Sequence, residues 1–358
     1  YSKIYNANSG TIESVARSRG FRSSQNGHWI FSRHEYNDSI MQLLTGGKDI
    51  IELVREITWS GDTKEVSRKL NFVIYQNDID KLMPAVSINE GDDIIFKDDA
   101  GKAIFGGVIH KKDRKAAEKS FTFLAYDLLF YVNKSEISKI FNSTPEAITR
   151  SICNDLNIPV GSLASTNVKV YYPCLGKTAY EAIMIAYTQA GYQTGNVYIP
   201  VMKDINKLNI IQKGQYSNVV LEGTYNLEDS TYSVTSENVV NKVVITDKEG
   251  NAIKTLEDID SMNKYGTIQK VYKTQDGKDS NVEAKALMHG IDKNGSVLAL
   301  GDVRAISGYS VAVQESKSGL YGLFYIESDS HTFMDGKHEM SLTLAFENMM
   351  DEKELPTS

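Results

Sequence analysis

The sequence predicts a mainly β protein with an α+β insertion. The chain has 358 residues, and at roughly 150 residues per domain this length predicts two or three domains. Twenty tyrosines against two tryptophans suit the half-buried, pleated surface of β-sheets. Apolar residues recur with a period near two over most of the chain, and the helical period appears twice between Ser143 and Gly214. One helical segment is therefore expected between two β-rich regions.

Composition and charge exclude several classes of protein. Charged residues make up 24% and apolar residues 41%, which excludes a wholly disordered chain, a collagen or a coiled-coil rod. No run approaches the ~18 apolar residues of a membrane-spanning helix, and the first residues do not have the pattern of a signal peptide. The net charge of −7, without a concentrated basic patch, argues against sequence-specific nucleic-acid binding. Cys153 and Cys174 cannot form a disulfide framework, so we expect two buried thiols and a reducing compartment.

The first β-rich region follows a flexible break at Gly46 and Gly47. Leu70, Phe72 and Ile74 alternate with their neighbours as in a strand with one face on a core. Further short strands are predicted at 94–96, 103–109 and 121–126, which indicates an antiparallel barrel or sandwich with Trp59 and Phe105 in its core. The basic stretch from His110 to Lys115 is interpreted as a solvated hairpin loop.

Two helices are expected in the middle segment. The first begins at Thr144-Pro145, where proline at the first helical position costs no hydrogen bond. The second begins at Thr178, with Glu181 completing a capping box, and is predicted to end at Gly191. A hairpin over 197–211 makes this segment a small α+β domain. The same capping box explains the sequence LGKT (175–178), which otherwise resembles the end of a phosphate-binding loop but lacks the first glycine.

The last region is β-rich again and includes one short helix. Strands are predicted at 239–245, 309–313, 322–326 and 340–346, a helix at 282–288, and a polar, frayed tail from Asp351. The acidic stretch from Asp276 to Asn281 has its glycine in the wrong position for a calcium loop, so a turn before the helix is preferred.

Chemical sites are scarce in the sequence. His331 and His338 flank a turn at 334–337 and could face each other across a hairpin, through a surface ion pair or cross-strand hydrogen bond, or in a metal site. No usual zinc spacing, nucleophile elbow or cysteine signature occurs. We therefore predict no catalytic residues, no metal, no cofactor and no enzymatic activity.

An ordered series of segments resembles the XkdQ-type baseplate hub proteins of contractile phage tails and phage-tail-like (R-type) bacteriocins. The series covers roughly residues 43–350, and no single motif in it is specific. It includes DIIELVREITWSGDTKEVSRKLNFVIY (49–75), AYDLLFYVNKSE (125–136), FNSTPEAITRSICNDLNIPVGSL (141–163), GLYGLFYIESDSHTF (319–333) and HEMSLTLAFE (338–347).

The resemblance implies a tail-hub fold related to the spike hub of type VI secretion. Two tube-like antiparallel β-barrel domains, at 47–131 and 217–350, would flank the α+β domain at 132–216, with a helical insertion in the second barrel and a polar tail at 351–358. Three chains would form a pseudo-sixfold ring that joins the tail tube to the trimeric central spike. Other implied partners are LysM-type and wedge baseplate proteins and the tape-measure protein, in a baseplate assembled in the bacterial cytoplasm. No membrane partner is implied.

The resemblance also implies an interface between this chain and its neighbours in the assembly. Phe324 and Tyr325 lie in the predicted strand at 322–326 and Tyr321 just before it, and we take these three aromatic residues as candidates for a contact with another chain. Their alternative role is ordinary core packing.

The N-terminal segment at 1–46 lies outside this resemblance and is similar to a different kind of domain. Residues 1–31 are similar to the later part of a LysM domain, although the front half and the usual Pro-Gly turn are missing. This similarity supports an alternative function, a peptidoglycan-binding or wall-degrading tail protein, which retention on purified peptidoglycan or clearing of cell walls would test.

Overall fold

The computed structural model describes residues 21–23, 29–31, 41–75, 87–115, 120–276 and 278–355. Most of the LysM-like segment at 1–31 lies outside these residues. Within that segment only two short strands, β1 (Phe21–Ser23) and β2 (Trp29–Phe31), are described, and they pair antiparallel.

Strands dominate the described residues, and the predicted mainly β fold is confirmed. Five helices are described: α1 (Leu129–Lys134), α2 (Pro145–Asp155), α3 (Ala179–Thr194), α4 (Ile259–Tyr265) and α5 (Ser280–Ala286). The remaining strands are β3 (Gln42–Thr45), β4 (Lys48–Asp49), β5 (Val54–Asp62), β6 (Lys69–Tyr75), β7 (Asp93–Lys97), β8 (Ala103–Lys115), β9 (Ser120–Tyr126), β10 (Glu136–Ser143), β11 (Val160–Leu163), β12 (Val170–Thr178), β13 (Tyr198–Lys203), β14 (Lys207–Gln212), β15 (Gln215–Glu222), β16 (Leu227–Thr235), β17 (Lys242–Thr246), β18 (Ala252–Glu257), β19 (Gln269–Lys273), β20 (Asp292–Leu300), β21 (Tyr309–Glu315), β22 (Leu320–Met334) and β23 (Lys337–Ala345).

One 13-stranded, curled sheet runs through both β-rich regions. Its order is β16-β20-β23-β22-β5-β6-β9-β8-β7-β3-β4, with β15 and β21 branching from β22. The two regions meet because the long strand β22 pairs with β21 through its first half and with β5 through its second half. Both β-rich regions therefore share one continuous sheet, and the predicted domain boundaries remain predictions.

The first β region, strands β3 to β9, folds around a core built by alternation. Leu70 and Phe72 are fully buried, Ile74 nearly so, and Trp59 and Phe105 are each 3% exposed, as predicted. The Phe72 and Phe123 rings stack from the neighbouring strands β6 and β9. Burying such side chains contributes about 1.5–3 kcal/mol each, so this alternation decides which face turns inward.

Two expectations for this region are wrong. Gly46 and Gly47 form the turn of the β3–β4 hairpin, and β3 pairs with β7, so the chain is part of the sheet there rather than a break. The stretch from His110 to Lys115 continues β8 instead of forming a loop. Its charges suit a strand because one face of an antiparallel sheet can remain in water.

The α+β unit between β9 and β15 has its own core. In α2, Thr144 caps the first turn, and Ile148 and Ile152 are buried as predicted. In α3, Thr178 and Glu181 form the expected capping box. The helix continues past Gly191 and ends at Thr194, because Gly195 takes the left-handed conformation that closes a helix. Both cysteines are free and buried in this unit, and burial raises the pKa of Cys153 to about 11.

The second β region contains an inserted unit between β16 and β20. Three strands in the order β18-β17-β19 pack with α5 around a small core, and α4 joins β18 to β19 without contributing a buried residue. Asp279 caps α5, so a turn precedes a helix as predicted, although the helix begins two residues earlier than predicted. In β23, Met340, Leu342 and Leu344 face the core as expected.

The C-terminal segment differs from the expected frayed tail over residues 351–355. The Tyr180 and Tyr192 hydroxyls of α3 donate hydrogen bonds to Asp351 and Glu352, each at 2.8 Å. The Lys353 N–H donates to the Thr188 hydroxyl at 3.2 Å. These contacts fix the segment against α3.

Candidate assembly surfaces and the buried junction

The three candidate interface residues lie on β22 but not on one face. Tyr321 is 74% exposed, whereas Phe324 is 8% exposed and packs edge-on against Phe346 at a ring distance of 5.3 Å. Tyr325 is half-buried. Successive residues of a strand face opposite sides of the sheet, so Phe324 points into the core when Tyr321 points out. Tyr321 is the most exposed of the three, and the half-buried Tyr325 lies on the same side of the strand, so an interface role for these two stays a prediction.

An apolar patch surrounds Tyr321 on the outer face of β15, β21 and β22. Val220, Ala312 and Leu323 lie side by side across the three strands, and Tyr321 follows one step along the same face. Leu323 is 57% exposed and Val220 is 38% exposed. We call these four residues the outer patch. Sequence reasoning missed Val220 because its pairing with β21 is parallel and distant along the chain.

Strand β16 is the second feature suited to assembly. It pairs with β20 on one side, and no described strand pairs with its other side. No residue within β16 is buried, so both faces and one edge of the strand are open. An open edge presents unpaired backbone groups that can pair with a strand of another chain.

A buried ion pair joins the two β regions at the seam between β5 and β22. The Arg68 guanidinium donates to both Asp329 oxygens at 2.9 and 2.5 Å, and also to Ser307 at 3.2 Å. The Asp329 side chain is fully buried, and it also accepts the Ser307 N–H at 2.6 Å. Arg68 lies over the Trp59 ring at 4.1 Å. Burial of the Asp329 carboxyl raises its pKa, but the neighbouring Arg68 guanidinium outweighs this effect and holds the pKa below its usual value.

The two histidines flanking the hairpin meet beside this ion pair, as the sequence suggested, but they are not on the surface. His331 Nδ1 and His338 Nε2 are 3.0 Å apart, and His331 Nε2 is 3.1 Å from the Ala305 carbonyl oxygen. Because that carbonyl can only accept, His331 donates from Nε2 and accepts at Nδ1 from His338. Burial lowers the pKa of both rings, that of His338 to about 4. The pair is a neutral hydrogen-bonded unit of the seam.

The other motifs of the sequence do not assemble into a reactive centre. Across the described ranges, no group of three or more histidine, cysteine or acidic side chains could hold a metal ion. Asp127 is fully buried beside the seam and accepts N–H groups of Arg68 and Leu129 at 3.2 and 3.0 Å. Burial raises the pKa of this carboxyl to about 7. In the part of the chain that the structure describes, no helix is long and apolar enough to cross a membrane.

The fold is that of phage tail proteins. A 43 kDa tail protein of prophage MuSo2 from Shewanella oneidensis superposes with a TM-score of 0.64 at 14% identity, over 85% of this chain and 97% of that chain. A tail protein from Neisseria meningitidis gives 0.62 at 13% identity, over 85% and 95% of the two chains. A type VI secretion component of E. coli, described as similar to the T4 bacteriophage tail proteins gp27 and gp5, gives 0.52 at 10% identity, over 88% and 79%.

The sequence comparisons define the family. The YQBQ-like family model matches residues 57–345, and the chain belongs to this family. Protein XkdQ of the phage-like element PBSX from Bacillus subtilis is 28% identical over 316 residues, which cover 84% of this chain and 95% of that protein. The predicted kinship with XkdQ-type proteins is therefore confirmed.

Proposed function

We propose that the chain is a structural hub protein of a phage tail or tail-like particle, in which three copies form a ring between tail tube and central spike. The named relatives are phage tail proteins, a protein of a phage-like element and a type VI secretion component. The two β regions supply two similar units per chain, so three chains present six units to a six-fold tube. Other baseplate proteins would contact the α+β unit outside the ring.

The continuous sheet is the observation that carries this proposal. Because β22 belongs to both β regions and the Arg68–Asp329 pair closes their seam, the two units are held as one rigid body. A ring of three such bodies keeps a fixed spacing between its six units. A chain with two loosely linked units would not keep this spacing fixed.

The outer patch and the open strand β16 supply surfaces for ring closure. A closed ring uses a head-to-tail contact, in which different surfaces of neighbouring copies meet. The outer patch offers exposed aromatic and aliphatic side chains, and β16 offers backbone groups. Covering both would remove exposed apolar side chains from water and pair an open sheet edge.

Absolute mass by light scattering tests the proposal. The full chain would be measured alone and with the spike protein encoded beside it, since the spike could be needed to close the ring. The expected result is a particle containing three chains of 39.9 kDa each. A chain that stays monomeric in both samples, or a complex with one or six copies, contradicts the ring.

A further inference from the structure

A cavity lies where the two β regions and the α+β unit meet. We call it the junction cavity, and its volume is about 370 Å³. Phe105 of β8, Ile205 of the β13–β14 turn and Tyr216 of β15 each line it from one of the three parts. The volume falls within the range of ~300–1,000 Å³ that is usual for small-molecule sites.

Polar groups without hydrogen-bond partners concentrate at this cavity. Among the described residues, six buried side-chain polar atoms lack a partner, and three belong to lining residues: Trp59 Nε1, Arg68 Nε and Ser217 Oγ. Trp59 is 3% exposed and Ser217 is 7% exposed, so bulk water does not readily supply the hydrogen bonds that these two groups lack. Leaving such a group unpaired costs about 1–3 kcal/mol, which requires an explanation.

Backbone strain concentrates at the same place. Six described residues other than glycine have a left-handed φ, and three of them line the cavity: Asp204 at 48°, Ile205 at 73° and Asn218 at 60°. For a β-branched residue such as Ile205 this conformation is a true outlier. Strained residues cluster at binding and catalytic sites, because the surrounding structure holds them there for a purpose other than stability.

The hydrogen-bond donors and charges of the cavity wall indicate which class of ligand can bind. Trp59 Nε1 and Arg68 Nε can only donate hydrogen bonds, so the ligand must bring acceptors. Arg68 already binds Asp329 and the lining Arg304 binds Asp302, so the remaining cationic groups of the lining are Lys102 and Lys203. Burial raises the pKa of the lining Asp127 to about 7, which leaves that carboxyl partly uncharged at neutral pH.

Part of the wall is apolar. Ile104, Phe105, Ile306 and Tyr309 contribute carbon surface to it, beside polar residues such as Asp204 and Asn218. A small inorganic anion would leave this surface uncovered, whereas a carboxylate joined to an aliphatic or aromatic body covers it.

We propose that the junction cavity binds a carboxylate attached to an apolar body, with the donors of Trp59, Arg68 and Ser217 and the two lysines recognising the carboxylate. Such a group is found in a free small acid and in the C-terminal residue of a peptide. Because three parts of the chain line the cavity, the bound ligand also ties these parts together. The proposal does not depend on ring formation.

The indole N–H of Trp59 reports directly on binding. The chain has two tryptophans, so a Trp29→Phe variant leaves Trp59 with the single indole signal in a ¹⁵N-labelled sample. N-acetyl-Leu-Phe would be titrated against its C-terminal amide, and 3-phenylpropionate against its amide. We expect both acids to shift the indole signal in a saturable way and to bind about tenfold more tightly than their amides, since a charged acceptor makes the stronger hydrogen bond.

A double variant tests the role of the lysines. Lys102→Gln with Lys203→Gln should weaken binding of the acids about tenfold, whereas Lys270→Gln with Lys273→Gln, on β19 of the inserted unit, should leave it unchanged. Thermal unfolding of each variant verifies that it is folded. Acids and amides that shift the indole signal equally, or acids without effect at millimolar concentration, overturn the proposal.

The two acids distinguish the source of the ligand. Tighter binding of N-acetyl-Leu-Phe than of 3-phenylpropionate indicates a peptide C-terminus as the natural occupant. The reverse order indicates a free small acid. Either order supports the carboxylate site, provided that the matching amide binds more weakly.

Discussion

Asp329 is the residue on which the seam between the two β regions depends most. Its carboxylate is fully buried and neutralises the Arg68 guanidinium, while it also accepts the Ser307 N–H. Removing the charge of one partner leaves the other buried and unpaired, which is more costly than replacing both partners.

Asp329→Asn should therefore lower the free energy of unfolding by about 3–5 kcal/mol, measured by urea denaturation. Glu327→Gln is the matched control, because Glu327 lies two residues away on the same strand and pairs with the exposed Lys64. This control should change stability by less than ~1 kcal/mol. Equal losses of stability in the two variants would show that the buried pair contributes no more to stability than the exposed pair.

His338 should make the fold sensitive to acid. Its pKa is about 4 in the folded chain because of burial and the neighbouring His331, against the ordinary value of 6.5. The unfolded chain then binds the proton more readily, so stability falls as the pH drops from 6.5 through 4, by on the order of 3 kcal/mol in full.

Urea midpoints measured between pH 8 and pH 4 test this prediction. His338→Gln should flatten the loss of stability between pH 6.5 and pH 4. The raised pKa of Asp127 gives the opposite slope, since that carboxyl favours folding more as the pH falls below about 7, but it acts in both proteins and cancels in the difference. Identical pH profiles for the two proteins would contradict the prediction.

Single residues were predictable where the pattern around them is local. Trp59 and Phe105 were placed in the core from alternation, and the turn at 334–337 brought His331 towards His338. The Arg68–Asp329 pair was not predictable, because its partners are 261 residues apart and neither sits in a motif. Phe324 was grouped with Tyr321 as an interface residue, although its position along β22 turns it to the core.

At the scale of elements, the contact between β8 and the β13–β14 turn depends on Gly106. A Cβ atom there would lie 2.6 Å from Ile205 Cγ2 and 2.8 Å from the Ile205 carbonyl oxygen. The turn can approach the strand this closely only because glycine has no side chain.

Gly106→Ala should push the turn away and destabilise the chain by about 1–3 kcal/mol, as overpacking usually does. The control is Gly290→Ala, where no atom lies within 4 Å of the added methyl group. Differential scanning calorimetry should show a lower melting temperature only for the first substitution. An unchanged melting temperature for Gly106→Ala would mean that the turn is not held against β8.

Elements were predicted well where periodicity and end signals agreed. The capping residues Thr144 and Thr178 begin α2 and α3 as expected. Predictions were wrong where one local sequence pattern is compatible with two different structures. The charges from His110 to Lys115 suggested a loop but lie on a strand, and Gly191 suggested a helix end but lies inside α3, where Gly195 ends the helix.

At the scale of the whole molecule, the outer patch should decide assembly rather than folding. Tyr321→Arg with Leu323→Arg places two charges on an exposed face, so the unfolding free energy of the single chain should change by less than ~1 kcal/mol. If the patch closes the proposed ring, the same variant should remain monomeric by light scattering under conditions in which the natural chain forms trimers, because a buried unpaired charge opposes association.

Val271→Arg is the control for assembly. Val271 is 58% exposed but lies on β19 of the inserted unit, away from the outer patch. It should leave the trimer intact. A trimer that tolerates both arginines at Tyr321 and Leu323 would place the ring contact elsewhere, with the open edge of β16 as the next surface to alter.

The mainly β class, most strands and both main helices could be predicted from the sequence alone, because these follow from the period of apolar residues and from short capping motifs. The ordered series of segments also predicted the family. The sequence did not reveal that the two β regions share one sheet, that Asp329 and the two histidines lie together at the seam, or that three parts of the chain line a cavity. These features join residues far apart in sequence, and their pairing depends on register and packing geometry, which no local pattern encodes.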